Sequence, residues 1–469
     1  MNAPRSPRIP TLTMQVLYWG NPQTLVHPHW LPVSVDARDL NTDQLRAALA
    51  MVVARHESLR AVPQPDDDGL WQRILDPEHV AIEILDIAND DQVWRNVDSE
   101  PWPIEKARWV AGLIEQPARR LILKLCHGIT DQVGLRILAG DLSLAINAVR
   151  MNTDPTWRPA ASLVSLAEEE GSPQGKETLR LNNEYFRQTF ASGWILKPIT
   201  KRRVPRTWFQ TAIVIDDDCM RRFSRTAASI GIPWQNLLRA AFLLAEETVQ
   251  ASGRISLSSL HHNRGDKERW RCVANFAVYL PALVDGEEAL RTDPVDVARQ
   301  VDAALTEAAS HLPISDLTVT HLATGVEETL GRGVDRIHST PNYELETSGS
   351  ALIAVLDIPG TGNRVGEVRE IRSWNWDWMI AVLDRQPNEV QLTLTEQAAR
   401  CSAGSLRLLA TCWLAAVEKY AGLTETPPIQ ISNRARKLRN AVGRWPDLEL
   451  IDDVLVAVTA SLPIPPLSD

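Results

Sequence analysis

The stretch KLCHGITDQVGLRI, residues 124–137, holds the residue types that could do chemistry. An apolar run, LILKL, reaches Cys126 and His127, and a short loop through Gly128, Thr130 and Asp131 leads into helical spacing from Gln132. An imidazole, with an unperturbed pKa of about 6.5, is the side chain able to accept a proton from a nucleophile and return it at neutral pH. A strand period of two places Leu121, Leu123, Leu125 and His127 on one face, so His127 is either a core histidine or a site histidine. Asp131 reads as the N-cap of the following helix. Cys126 is a second candidate nucleophile through its neighbour His127, but successive strand residues diverge, which argues against a Cys-His dyad.

Other constellations are weaker. His261 and His262 suggest a metal pair, yet adjacent strand residues point to opposite faces and would not share an ion. VHPHW, residues 27–31, has an HxH spacing without nearby Cys or carboxylate ligands and reads as a surface loop. GTGNRVG, residues 360–366, is followed by the strand-like VREIRSW and not by a helix N-terminus that could bind phosphate. Alternation in WNWDW, residues 374–378, puts its indoles on one sheet face, as core or as an aromatic wall, with core favoured.

The elements that must position these residues follow from periodicity. Leu45, Leu49, Val52, Val53 and Leu59 predict an amphipathic helix over 42–59 opened by Asn41 or Thr42. Segments 71–76 and 81–85 read as strands before a short helix near 90–98. ARWVAGLIEQPARRLILKLCH then predicts a hairpin turning at Gln116 and Pro117. A helix over 132–149 comes next, then a Pro-, Ser- and Gly-rich loop over 151–175, a helix through NEYFRQTF and a second, basic loop, LKPITKRRVPR.

The second half repeats the alternation. Strands are predicted at 209–216, 254–262 and 276–284, and helices at 219–230, 234–250 and 295–310. ALIAVLD, VGEVREIRSW, WMIAVLD and EVQLTLTE are strand candidates, the last two joined at RQPN, before a helix over 404–420. The expected architecture is α+β, with a first lobe at 1–175, a second at 176–425 and a tail at 426–469 without a functional account.

Bulk properties set the limits. A chain of 469 residues with 44% hydrophobic content can bury a large core. Its 49 basic and 59 acidic residues, net charge −10, give no electrostatic footprint for nucleic acid. Five scattered cysteines without a CxxC pair fit free thiols in a reducing compartment, so a cytoplasmic location is expected. Neither a signal peptide nor a run of roughly 18 apolar residues is seen, so no membrane partner is expected.

CHGITDQ resembles the HHxxxDG motif of nonribosomal peptide synthetase condensation domains, members of the chloramphenicol-acetyltransferase-like superfamily. Other stretches agree in order and spacing over roughly residues 10–420. LTMQVLYW (12–19) resembles the opening Leu-Ser-x-x-Gln box, and RHESLRAV (55–62) is similar to the RHxxLR signature. GLWQRIL (69–75) sits where a glycine and a glutamine precede a strand, and NEYFRQTFASGW resembles the helix that links the lobes. HNRGD (262–266) resembles the strand-ending arginine box, and VANFAVYLP (273–281) the GxFxNxLP stretch.

The resemblance implies a V-shaped pseudo-dimer of two chloramphenicol-acetyltransferase-like lobes, a central tunnel with His127 in it, and acyl or peptidyl carrier proteins at opposite mouths. His127 would hold or deprotonate an amine or alcohol, small or carrier-bound, that attacks a thioester on a phosphopantetheine arm. No bound cofactor or metal of its own is implied. Asp131 would form a structural ion pair, with Arg60 or Arg264 as the partner, and Cys126, Gly128 and Gln132 are candidate tunnel residues. Cys126, Gln132, Ala274 and Val278 depart from the family's histidine, glycine, glycine and asparagine. A family branch with a degraded motif recruits other enzymes, which is the alternative. Retention of His127, with no room for an adenylation domain and no serine-bearing carrier motif, favours a catalytic, divergent, stand-alone member.

Overall fold

A four-stranded and a six-stranded sheet, the two largest among the described residues and each covered by helices, carry the chain's alternating apolar residues inward. They are seen in a computed structural model that describes residues 9–423 apart from 21, 67–68, 88–96, 98–99, 116–117, 192–195, 198–206, 251–253, 290, 315–332, 335–343, 346–361, 373–379, 387–388 and 398–401. The expected helix near 90–98, the hairpin turn at 116–117, the strand ALIAVLD, WNWDW and the tail 426–469 lie wholly or largely outside the described residues.

The first lobe runs β1 (Ile9–Pro10), α1 (Gln15–Trp19), α2 (Pro22–Val26), β2 (Trp30–Asp36), α3 (Thr42–Arg55), β3 (Ala61–Asp66), β4 (Gly69–Ile74), β5 (Ile84–Asp86), β6 (Trp109–Ile114), β7 (Arg120–Cys126), α4 (Gln132–Met151) and α5 (Leu163–Gly171). Its main sheet has the order β2-β7-β6-β5, and β1-β4-β3 form a smaller one. β6 and β7 pair antiparallel, as the hairpin reading requires.

α3 opens on a reciprocal cap: the Gln44 amide N–H donates to Asn41 Oδ1 and the Asn41 amide N–H to Gln44 Oε1, each at 2.9 Å. It buries Leu45, Leu49, Val52 and Val53, and ends at Arg55 where His56 turns extended, so Leu59 falls on a separate 3₁₀ turn, Glu57–Arg60. RHESLR acts as a staple. Arg55 (2.7 Å) and His56 (2.8 Å) both reach Asp141 of α4. Glu57 accepts hydrogen bonds at the start of α5 from the Ser162 hydroxyl (2.9 Å) and the Val164 N–H (3.0 Å). Helix α5 lies inside the stretch read as a loop. It is too short to show periodicity, and its start is held by that distant carboxylate and by the Ser162 cap.

Two glutamines explain the first and third resembling boxes. Buried Gln15 accepts from the Leu12 N–H (2.7 Å) and donates to Gln72 Oε1 (3.3 Å), while Gln72 donates to the Pro10 carbonyl (2.7 Å). A polar chain of this kind is stable only when each member is satisfied.

α6 (Pro173–Ala191) carries the chain onward, so the expected division at 175 falls within its first turn. There follow β8 (Leu196–Lys197), β9 (Thr207–Asp216), α7 (Asp217–Ile230), α8 (Trp234–Gln250), β10 (Arg254–His261), β11 (Val278–Asp285), α9 (Gly286–Ala289) and α10 (Pro294–Ser310). β12 (Gly333–Val334), β13 (Glu344–Leu345), β14 (Arg364–Val365), β15 (Arg369–Arg372), β16 (Ile380–Gln386), β17 (Glu389–Gln397) and α11 (Ala403–Tyr420) complete the described chain. The second sheet has the order β13-β16-β17-β9-β14, with β15 also on β9. Its core gathers Ile213, Phe223, Phe242, Val301, Leu392 and Trp413 among others.

The lobes are tied together by the segment between β10 and β11. Cys272, Val273, Ala274 and Phe276 belong to the core of the first lobe, although β10 and β11 belong to the second. Phe186 of α6 packs in a small third core with Met14, Val278, Leu280, Ala308 and Ile314. The α+β, two-lobed expectation therefore describes the architecture.

Candidate functional site

β7 stops at Cys126, one residue before the alternation would place His127 in the strand. His127 is held instead by the turn that follows. Its N–H donates to the His29 carbonyl at 2.7 Å, and the Ile129 N–H closes back on the Cys126 carbonyl at 2.9 Å. The side chain is buried, 8% exposed. Tyr18 stacks on it with ring centroids 4.7 Å apart and planes 18° from parallel, and the His29 ring lies at 5.5 Å and 46°.

Burial pushes the His127 pKa below the usual imidazole value. Hydrogen bonding to its own backbone, the charge of Asp131 and hydrogen bonding to the Thr130 backbone oppose this. Nδ1 is sealed from solvent, which leaves Nε2 as the nitrogen available to a reacting group. The ring is neutral at neutral pH, the form that can accept a proton.

Asp131 is both the cap and the ion pair. Its Oδ1 accepts from the Gly134 N–H (2.8 Å) and from Arg264 (2.8 Å), and its Oδ2 from the Phe276 N–H (3.0 Å). Arg264 also donates to the carbonyls of Arg269, Cys272 and Ala274 and lies over the Phe276 ring at 4.7 Å. Both charged side chains are almost fully sealed, 0% and 2% exposed. The loop after His127 is thus fastened to the segment that crosses from the second lobe. Arg60, the other candidate partner, is occupied elsewhere: it donates to the carbonyls of Val53 (3.1 Å) and Leu75 (2.7 Å).

The candidate tunnel residues divide. Cys126 is 1% exposed and packs in the first lobe's core, so it is a core residue and not a lining one. Burial pushes its thiol pKa up, against a weak hydrogen bond from the Gly128 N–H (3.4 Å) and the charge of Arg108, which keeps it out of the reactive thiolate form. Gly128 is covered by Trp19, and Gln132 is half-buried. A Cβ on Gly128 would sit 2.5 Å from Trp19 Nε1, so this glycine is required for the indole to close over the turn. Gly128→Ala is expected to lower the denaturation midpoint by the equivalent of about 1–3 kcal/mol, the usual cost of overpacking. Unchanged midpoint and Trp fluorescence would show that the indole moves aside freely.

A second close approach was not anticipated from sequence. A Cβ on Gly134 would meet Thr130 Oγ1 and the Ala274 carbonyl, because the start of α4 is pressed against the crossing segment. His29 was also missed. VHPHW reads as a surface loop, but Trp30 pairs with Cys126 in the β2–β7 ladder, so His29 lies opposite His127.

His261 and His262 lie together, ring centroids 4.4 Å apart, because β10 ends at His261 and the opposite-face rule stops with it. Their Nδ1 atoms accept the backbone N–H groups of Asn263 (2.9 Å) and Arg264 (3.2 Å). They line a cavity of about 370 Å³ with Glu170, Asp266 and Arg269. Among the described residues no cluster of three His, Cys, Asp or Glu is arranged to hold a metal ion, and no helix is long and apolar enough to cross a membrane.

Several imidazoles are held neutral by the fold. Burial, then the neighbouring His127, lowers His29 to about 3, and burial, then His262, lowers His261 to about 4. A histidine whose folded pKa lies below its unfolded one contributes stability that is complete above the unfolded value and is lost as pH falls toward the folded one. Denaturation midpoints measured from pH 7.5 down to 5 are expected to fall, and His29→Phe, lacking one such group, should be less acid-sensitive. A flat wild-type profile would contradict the burial of these rings.

The α+β pair of lobes thus places a histidine at a strand end in one and the arginine that braces its loop on the segment crossing from the other. The family profile described as Condensation domain matches residues 10–324, more than half of the chain, and the chain belongs to that family. CymA of Salinispora arenicola (strain CNS-205), described as a probable nonribosomal peptide synthetase, is 35% identical over 125 residues, which are 26% of this chain and 2% of that protein. The first condensation domain of the calcium-dependent antibiotic synthetase superposes with a TM-score of 0.66 and 15% identity, covering 91% of this chain and 99% of that one. The X-domain bound to OxyB from teicoplanin biosynthesis superposes with a TM-score of 0.63 and 19% identity, over 90% and 95% of the two chains. At these identities the structures establish the fold alone.

Proposed function

We propose that this chain is a divergent condensation enzyme acting in the cytoplasm in nonribosomal peptide or related secondary-metabolite biosynthesis. It moves an acyl or aminoacyl group from the phosphopantetheine thioester of an acyl or peptidyl carrier protein to an amine or alcohol, small or carrier-bound. The observation that carries the reading is the neutral, buried His127 at the end of β7, on a loop braced by Asp131 and Arg264.

In the step, the nucleophile's N or O bonds to the thioester carbonyl carbon while His127 Nε2 accepts its proton. The tetrahedral intermediate collapses, the C–S bond breaks and the proton passes from His127 to the departing thiolate. A positioned acid–base group contributes about 10²–10⁴-fold, and holding both reactants in register contributes more. Asp131 does not touch the reactants; it fixes the loop from which His127 projects.

A second reading is a recruiting module that binds carrier proteins or tailoring enzymes without chemistry of its own. The replacement of the motif's first histidine by Cys126 and of its glycine by Gln132, together with the likeness to an X-domain seen with OxyB, favours it. Incubation with candidate loaded carrier proteins and acceptors, followed by intact-mass measurement, separates the two. The enzyme shifts the acyl mass to the acceptor, whereas the module leaves every carrier loaded.

A further inference from the structure

The imidazole of His127 must be held in one orientation if Nε2 is to face a nucleophile. In such sites the ring orientation and tautomer are set in part by the hydrogen bond made at the second nitrogen. Here the polar groups that act on the ring are its own backbone and that of Thr130. A backbone contact leaves the faces of the ring to be held by packing, and the contacts on those faces are aromatic.

One of these contacts is built into the sheet. β2 and β7 pair antiparallel with Trp30 opposite Cys126, and the 2.7 Å bond from the His127 N–H to the His29 carbonyl extends the pairing by one residue. Residues directly opposite in an antiparallel pair place their side chains on the same face, within contact of each other. The His29 ring accordingly lies 5.5 Å from that of His127, tilted by 46°, and Tyr18 adds a stacked contact at 4.7 Å. The strand register, which no motif around His127 reveals, delivers this second imidazole.

We propose that His29 is a positioning residue for His127: its ring packs against the imidazole and, with Tyr18, holds it in the rotamer that presents Nε2. This rests on the reading of His127 as the acid–base group. His29 acts through packing and not through charge, because burial and the nearby His127 keep it unprotonated down to about pH 3. Among the described residues, the titratable or charged groups near the pair include Tyr18 on α1, Cys126 with the charge of Arg108 acting on it, and Asp131 paired with Arg264.

Two readouts test it. In carrier-protein condensation assays His29→Ala should lower kcat on the order of 10- to 100-fold, with KM little changed, the expected result of a misplaced reacting group. His29→Phe should restore most of the rate and leave the acidic limb of the pH–rate profile in place. Independently of activity, carbethoxylation of His127 by diethyl pyrocarbonate, followed by peptide mass spectrometry, should be several-fold faster in His29→Ala than in wild type and close to wild type in His29→Phe. An Ala variant equal to wild type in both rate and modification overturns the proposal, as does a Phe variant as slow as Ala or with a displaced acidic limb. Wild-type protein that transfers nothing defeats the condensation reading alone, since the modification rates still report whether His29 holds the ring.

Discussion

His127→Ala is expected to lower turnover by about 10²-fold or more while the protein keeps its fold, as loss of a positioned acid–base group should. Among the described residues His127 bears no ion pair and its polar partners are backbone groups, so truncation removes chemistry at small structural cost. Cys126→Ala should lose far less. Its thiol is sealed in the core, with a pKa raised by burial, and removing it leaves only a small void. Assays of both variants beside wild type, with circular dichroism as the control for folding, check this. Equal losses, or an acyl group found on Cys126 during turnover, would mean that the thiol and not the imidazole does the work.

Asp131→Ala should produce the largest fall in stability of any single change at the site. It strands the Arg264 guanidinium in a position where both side chains are sealed, and breaking such a pair by deleting one partner costs roughly 3–5 kcal/mol, against about 1 kcal/mol for a lost helix cap. Asp131→Asn separates these effects. An amide oxygen can still accept from the Gly134 N–H, but the amide nitrogen would then face the Phe276 N–H, and the charge opposite Arg264 is gone. The Asn variant should therefore melt nearly as early as the Ala variant. A wild-type midpoint for Asp131→Asn would reduce Asp131 to a cap and remove the brace between the crossing segment and the His127 loop.

Much of this site was legible in the sequence because its signals are local. The strand-loop-helix order around Cys126 and Asp131, the cap on α4 and the amphipathic face of α3 are all set within a few residues, and each occurs where periodicity places it. Arg264 was legible only as one of two candidates, since the choice between it and Arg60 depends on a segment crossing between lobes. What escaped was tertiary. His29 reaches the site through strand register, and α5 exists because Glu57, over a hundred residues away in sequence, caps it. His261 and His262 were placed on opposite faces by a strand rule that ends with the strand. Cys126 is the last residue of β7 and is buried in the core like Leu125 beside it, so both faces of the strand are covered at its end, which local spacing does not reveal.

The most direct measurement of the central claim is intact-mass analysis of a carrier protein loaded with an acyl thioester, incubated with an amine or alcohol acceptor and either wild-type protein or His127→Ala. The account predicts that wild type unloads the carrier and adds the acyl mass to the acceptor, whereas His127→Ala leaves the carrier loaded over the same interval. Transfer by His127→Ala at the wild-type rate would contradict it.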